Sequence, residues 1–211
     1  MSENISKYVD FTLLKADANT QKYEELCAAA LENKFYSVCV PPDRIKECKQ
    51  YLKGGDIKIA TVIGFPLGYS TIETKSAEIK DAIENGADEL DVVINVSRIK
   101  SGEFDYVKRE LSALRQASKG KILKVIIENC YLTPDEIAKV SALVSESGAD
   151  FVKTSTGFGT YGARVEDVKI MKKSISPQTK IKAAGGIKTY EQAISFIEAG
   201  ASRIGASALL K

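Results

Sequence analysis

Short apolar runs alternate with stretches of helical period along the whole chain. The runs start near Val9, Val38, Ile59, Leu90, Leu123, Val152, Ile181 and Ile204 and predict eight strands of the continuous hydrophobic kind that suits a sheet covered on both faces. Between them, apolar positions at helical spacing predict helices over 20–33, 42–52, 71–84, 104–117, 134–145, 165–173 and 190–199. Thr133 followed by Pro134, with Glu136 at the capping-box position, marks one helix start, and Thr189 marks the last. A weak repeat, ENGADELDVV from Glu84, SESGADFVKT from Ser145 and EAGASRIGAS from Glu198, sets a helix-ending glycine before the fourth, sixth and eighth strands. Strands joined by crossovers of this length predict a single compact (β/α)8 TIM barrel over 1–211, with an open doubly wound sheet as the rival.

Four of the runs carry an ionisable residue in the wrong place: Asp91 in LDVVIN, Lys124 in ILKVII, Lys153 in FVKTST and Lys182 in IKAAGG. An unpaired charge in such surroundings costs several kcal/mol, so chemistry is the reason to keep them. Three residues on from Asp88, Asp150 and Ser202 the repeat reaches Asp91, Lys153 and Gly205, which places these at one height on alternate barrel strands. Lys124 and Lys182 flank Lys153 on the neighbouring strands.

Composition narrows the chemistry. Thirty basic residues against twenty-eight acidic, scattered without a cluster, argue against nucleic acid or an anionic membrane as partner and leave a small anionic ligand open. The opening MSENISKYVDFTLL does not read as a secretory leader, and no run approaches the roughly 18 apolar residues of a membrane span, so a cytoplasmic protein is expected. Cys27, Cys39, Cys48 and Cys130 show no metal or disulfide spacing and are expected as reduced thiols. The absence of histidine excludes Ser-His-Asp and Cys-His catalysis and takes the commonest ligand from any zinc or iron site, so no metal is expected.

At a reference pKa of about 10.4, fewer than roughly one lysine in a thousand is a free amine at pH 7. Two ammonium groups about 5 Å apart repel by roughly 3 kcal/mol at an effective dielectric near 20, or about two pKa units, and partial desolvation adds in the same direction. Clustering Lys124 and Lys182 around Lys153 is therefore expected to leave Lys153 able to condense with a carbonyl, with Asp91 and a second lysine moving protons. Schiff-base aldolase or decarboxylase chemistry needs no cofactor. The glycine pair in Ala184 to Thr189 after the seventh strand, with Gly205 to Ser207 on the eighth, predicts a phosphate cradle of backbone amides and helix N-termini.

The stretches DFTLLKADA, SVCVPP, ATVIGFPLG, GADELDVVIN, LKVIIE, GADFVKTSTGFG, KAAGGIKT and RIGAS resemble deoxyribose-phosphate aldolases over nearly the whole chain. The resemblance implies a (β/α)8 barrel and a metal-free class I reaction, which interconverts 2-deoxy-D-ribose 5-phosphate with acetaldehyde and D-glyceraldehyde 3-phosphate. Lys153 then matches the Schiff-base lysine, Lys182 the second essential lysine, Asp91 the proton-transfer aspartate and Lys124 its support. Gly157, Gly185, Gly186, Gly205 and Ser207 match the phosphate-binding positions, with lesser parts for Lys188, Asp10 and Thr12. In that scheme Lys153 attacks C1 of the open-chain sugar. A water held by Asp91 and Lys182 takes the C3 hydroxyl proton, and the C3–C4 bond is expected to break to leave an enamine. The chain departs from the family pattern at Phe11, where many members have histidine, and at Tyr161 and Arg164. It also stops soon after GAS, without the tyrosine-ending tail of some members, so turnover is expected to rely on lysine and water alone or to be slower.

Other readings stay open. Lys124 and Asp91 have as an alternative reading a buried ion pair that only orders the barrel, Cys39 reads as core beside the aldehyde pocket, and Thr61 to Gly68 as a strand and turn. Glu128 has inward parity without an assigned role. A barrel lysine above a phosphate cradle also suits pyridoxal phosphate, and the fold alone permits a non-catalytic sugar-phosphate binder. A homo-oligomer stays open as well.

Overall fold

A computed structural model describes residues 5–208. The tail position after GAS therefore lies largely outside the described residues. The strands are β1 Val9–Thr12, β2 Ser37–Val40, β3 Lys58–Ile63, β4 Glu89–Val93, β5 Ile122–Ile126, β6 Phe151–Lys153, β7 Lys180–Ala184 and β8 Arg203–Ala206. They close in sequence order into a parallel barrel, with β8 pairing β1. The helices are α1 Thr20–Glu32, α2 Ile45–Tyr51, α3 Ile72–Asn85, α4 Val96–Lys100, α5 Phe104–Ala117, α6 Pro134–Glu146, α7 Val165–Ser174 and α8 Tyr190–Glu198.

The helix expected over 42–52 is divided, because Pro42–Arg44 forms a 3-10 turn ahead of α2. The unexpected α4 is too short to display a period and starts at Asn95, whose side chain accepts from the Arg98 amide. The expected capping box of Thr133 with Glu136 is present, and Thr189, expected as a helix start, forms a second one with Gln192.

Parallel strands with outer helices put the apolar side chains Val38, Leu90, Val92, Leu123, Val125, Val152, Ile181 and Ile204 in the core between sheet and helices. The alternate side chains face the barrel interior. There the register sets Asp91 beside Lys124, Lys124 beside Phe151 and Lys153 beside Lys182. An eight-stranded barrel staggers by about two residues for each pair of strands, which sorts the interior into layers. The lowest holds Ser37, Glu89, Phe151 and Arg203; the next holds Asp10, Ala60, Lys124 and Lys182; above it lie Cys39, Asp91, Lys153 and Gly205. Asp91, Lys153 and Gly205 thus share a layer, while Lys124 and Lys182 sit in the layer beneath.

Candidate active site

The three layers carry one connected ion network. The Lys153 ammonium donates to Asp91 Oδ2 at 2.7 Å, and Lys182 donates to the same oxygen at 2.8 Å and to Asp10 Oδ2. Lys124 bridges Asp91 Oδ1 at 2.7 Å and Glu89 Oε2 at 2.6 Å. Below, Arg203 donates to Asp10 Oδ1 at 2.8 Å and Glu89 Oε2 at 3.1 Å, with its guanidinium 3.6 Å over the Tyr36 ring. Ser37 donates to the same Asp10 oxygen at 2.7 Å. Every charged group among these is buried.

Four cations, Lys124, Lys153, Lys182 and Arg203, meet three carboxylates, Asp10, Glu89 and Asp91, so one positive charge is in excess. The network holds that excess most weakly at one place. Burial pulls the Lys153 amine below its ordinary value; Asp91 opposes this and Lys182 adds to it. Burial also acts on Lys124, but Asp91, Asp10 and Glu89 outweigh it and hold that ammonium well above its ordinary value. Lys182 is likewise raised, by Asp10 and Asp91 against burial. For Asp91, burial is overcome by Lys124, Lys153 and Lys182, which hold the carboxyl well below the usual range.

This corrects the expected cause. Desolvation leads the acidification of Lys153 and the ammonium of Lys182 assists, whereas Lys124 is absorbed by its three carboxylates.

Lys153 also lies on the floor of a cleft of about 750 Å³ at the C-terminal ends of the strands, where barrel active sites form. The structure brings Thr12, Gly157, Gly185, Gly186, Gly205 and Ser207 to the same lining. Gly157, Gly185 and Gly186 take φ of 89°, 89° and 77°, the left-handed region that glycine tolerates. Gly205 serves differently: a Cβ there would lie 2.9 Å from Ala184 Cβ and 3.4 Å from Lys182 Cε, so its bareness makes room for the Lys182 stem.

The cradle departs from expectation at α8. The amides of Lys188 and Thr189 donate to Gln192 Oε1, so this helix start is closed by its own capping box. Lys188 is exposed and outside the cleft lining. The Gly157 and Gly186 amides donate to no other backbone group among the described residues.

Several participants escaped sequence reasoning. Glu89 and Arg203 lie two residues before Asp91 and Gly205, so strand parity was the signal for both; Asp10 had been given only a lesser part. Glu128 finds its role: it accepts from the Thr156 amide at 3.1 Å and from the Thr156 hydroxyl, tying the end of β5 to the Gly157 turn. Cys39 is fully buried beside the lysines, in an apolar cluster with Ala60 and Val62. Lys15, Asp17 and Lys22 line the cleft from the loop after β1 and the first turn of α1.

Comparison with known proteins agrees with this arrangement. Residues 5–211 match the family described as DeoC/LacD family aldolase. The deoxyribose-phosphate aldolase of Thermococcus gammatolerans is 53% identical over 208 residues, covering 97% of this chain and 92% of that protein. Among solved structures, the aldolase QR15 superposes with a TM-score of 0.93 at 40% identity, covering 97% of this chain and 92% of that one. The tetrameric deoxyribose phosphate aldolase from Aeropyrum pernix gives 0.87 at 32% identity, covering 98% and 88%.

Proposed function

Because the chain belongs to the DeoC/LacD aldolase family, we propose that it reversibly cleaves 2-deoxy-D-ribose 5-phosphate to acetaldehyde and D-glyceraldehyde 3-phosphate, with Lys153 as the Schiff-base amine. One observation carries the assignment: Lys153 alone among the three barrel lysines both lines the cleft and has its proton affinity lowered.

The neutral Lys153 amine adds to the C1 aldehyde, and loss of water with uptake of one proton, released again on final hydrolysis, leaves a protonated imine. Removal of the C3 hydroxyl proton lets the C2–C3 bond break, its electron pair passing into the iminium to give an enamine. The broken bond is C2–C3 and not C3–C4, since acetaldehyde keeps two carbons of the pentose and the phosphorylated aldehyde three. Protonation at C2 and hydrolysis of the imine free acetaldehyde and restore Lys153. Asp91 Oδ2, shared by Lys153 and Lys182, is the base nearest this chemistry, acting through a water, and Lys182 holds its charge steady. Lys124 keeps Asp91 ionised. Gly157, Gly185, Gly186, Gly205 and Ser207 receive the phosphate, and Thr12 lines the sugar's path.

No described helix is long and apolar enough to cross a membrane, in keeping with a cytoplasmic metabolic role. The tetrameric Aeropyrum pernix relative supports assembly of this chain with copies of itself.

Borohydride reduction in the presence of acetaldehyde, followed by mass spectrometry, tests the proposal. The expected result is irreversible inactivation with the adduct on Lys153. A colourless protein is expected as well, whereas bound pyridoxal phosphate would colour it yellow. Persistent activity with every lysine unmodified would overturn the imine mechanism.

A further inference from the structure

The glycine cradle supplies amides but no charge, and the cation expected to supply it, Lys188, is absent from the cleft lining. Three cations do line the cleft: Lys15, Lys22 and Lys153. Lys153 is committed to the floor and to Asp91 at 2.7 Å. Lys22 is paired with Glu25 at 2.8 Å. Lys15 has no ion-pair or side-chain hydrogen-bond partner among the described residues, although it is exposed beside an acidic neighbour of the same wall, Asp17.

Its place follows from barrel closure. β8 pairs β1 with Asp10 beside Gly205 and Phe11 beside Ala206, so the chain leaving β1 rises next to the chain leaving β8. The turn that follows is fixed by the Ala18 amide donating to the Lys15 carbonyl at 3.2 Å, which holds the Lys15 backbone at the cleft wall with its side chain exposed. Gly205 and Ser207 lie on that same side. A dianion seated on glycine amides gains from a mobile cation within reach, and the gain falls on binding, because the phosphate does not change charge in the reaction.

We propose that Lys15 is the counter-charge for the substrate phosphate and sets the preference for phosphorylated over unphosphorylated sugar. This rests on the proposed function for its substrate, but the binding of phosphate itself does not require turnover. A contact between exposed charges is worth about fivefold in affinity. Lys15→Ala should raise KM for 2-deoxyribose 5-phosphate by about fivefold with kcat unchanged, leave kinetics on unphosphorylated 2-deoxyribose as they were, and recover with Lys15→Arg.

The test pairs those kinetics with calorimetric titration of inorganic phosphate into the wild type, Lys15→Ala, Lys15→Arg and Lys188→Ala proteins. Phosphate affinity should fall about fivefold in Lys15→Ala, more than in Lys188→Ala, and be retained in Lys15→Arg. Equal losses on both sugars, undiminished phosphate binding in Lys15→Ala, or a larger loss in Lys188→Ala would overturn the assignment. If phosphate binding behaves as stated while no Lys153 adduct forms on reduction, the anion site stands and the aldolase reading fails.

Discussion

Lys153 and Lys182 converge on a single acceptor, Oδ2 of Asp91, at 2.7 and 2.8 Å, yet burial and charge drive their proton affinities apart. The difference lies in what else each touches. Lys182 has Asp10 as a second carboxylate, whereas Lys153 has only its share of Asp91 and an open cleft above. Two amines one strand apart therefore shift in opposite directions, Lys153 below its ordinary value and Lys182 above it.

Removing the surplus cation should cost activity without costing stability. Lys153→Met is expected to lower kcat by at least roughly a thousandfold. It leaves three cations matched to three carboxylates, so urea unfolding should show stability equal to or about 1 kcal/mol above wild type. A marked destabilisation would mean that Lys153 is a structural ion-pair member.

Lys124 should behave in the opposite way. Lys124→Met strips Glu89 and Asp91 of the ammonium that bridges them at 2.6 and 2.7 Å inside the barrel. Breaking a buried pair from one side costs about 3–5 kcal/mol. Combining it with Glu89→Gln should restore part of that loss, which a double-mutant cycle in urea would read as a coupling. Additive losses would show that the two residues do not form one unit.

The pH dependence of stability has two arms. Asp10 and Asp91 are held below their ordinary value of 3.8, so the folded chain binds fewer protons than the unfolded one in acid. Their stabilisation is complete above that value and is lost as pH falls through the folded-state titrations. Lys153 is also depressed, from 10.5, so between its folded value and 10.5 the unfolded chain binds more protons and stability rises with pH. The advantage of Lys153→Met over wild type should therefore be greatest on the acid side and fade as pH approaches 10.5. Unfolding curves of the two proteins at several pH values check this, and an advantage that grows with pH would reverse the sign.

A close backbone approach links the loops after β6 and β7. The Ala163 amide donates to the Gly185 carbonyl at 3.0 Å, and a Cβ on Gly162 would lie 2.1 Å from that same oxygen. Gly162→Ala must push the two loops apart and displace the cradle, so KM for the phosphorylated sugar should rise roughly tenfold, more than kcat falls. Unchanged steady-state constants would show that the contact relaxes elsewhere.

Much of this architecture was legible because a parallel strand exposes its exceptions. Against runs such as LDVVIN and ILKVII a single charged residue stands out, and the GAD repeat fixes its height. Glu89 and Arg203 were hidden at strand starts, where a charge reads as a solvated edge, although period-two parity with Asp91 and Gly205 points them inward. Lys75 was invisible for another reason. It lies among polar neighbours on α3, and only the packed structure shows it buried, donating to Glu110 at 2.6 Å and to the Val93 carbonyl at 2.7 Å. The cause of Lys153 acidification was misjudged because a linear sequence shows which charges are near but not how many carboxylates each has already engaged.

The most direct test is the titration of each barrel amine, read by pH-dependent competitive labelling with a small acylating reagent and residue-resolved mass spectrometry. Lys153 should become reactive below pH 10.5, while Lys124 and Lys182 remain protonated and unlabelled beyond it. Lys153 titrating at or above 10.5, or Lys182 titrating before it, would contradict the assignment of the neutral amine.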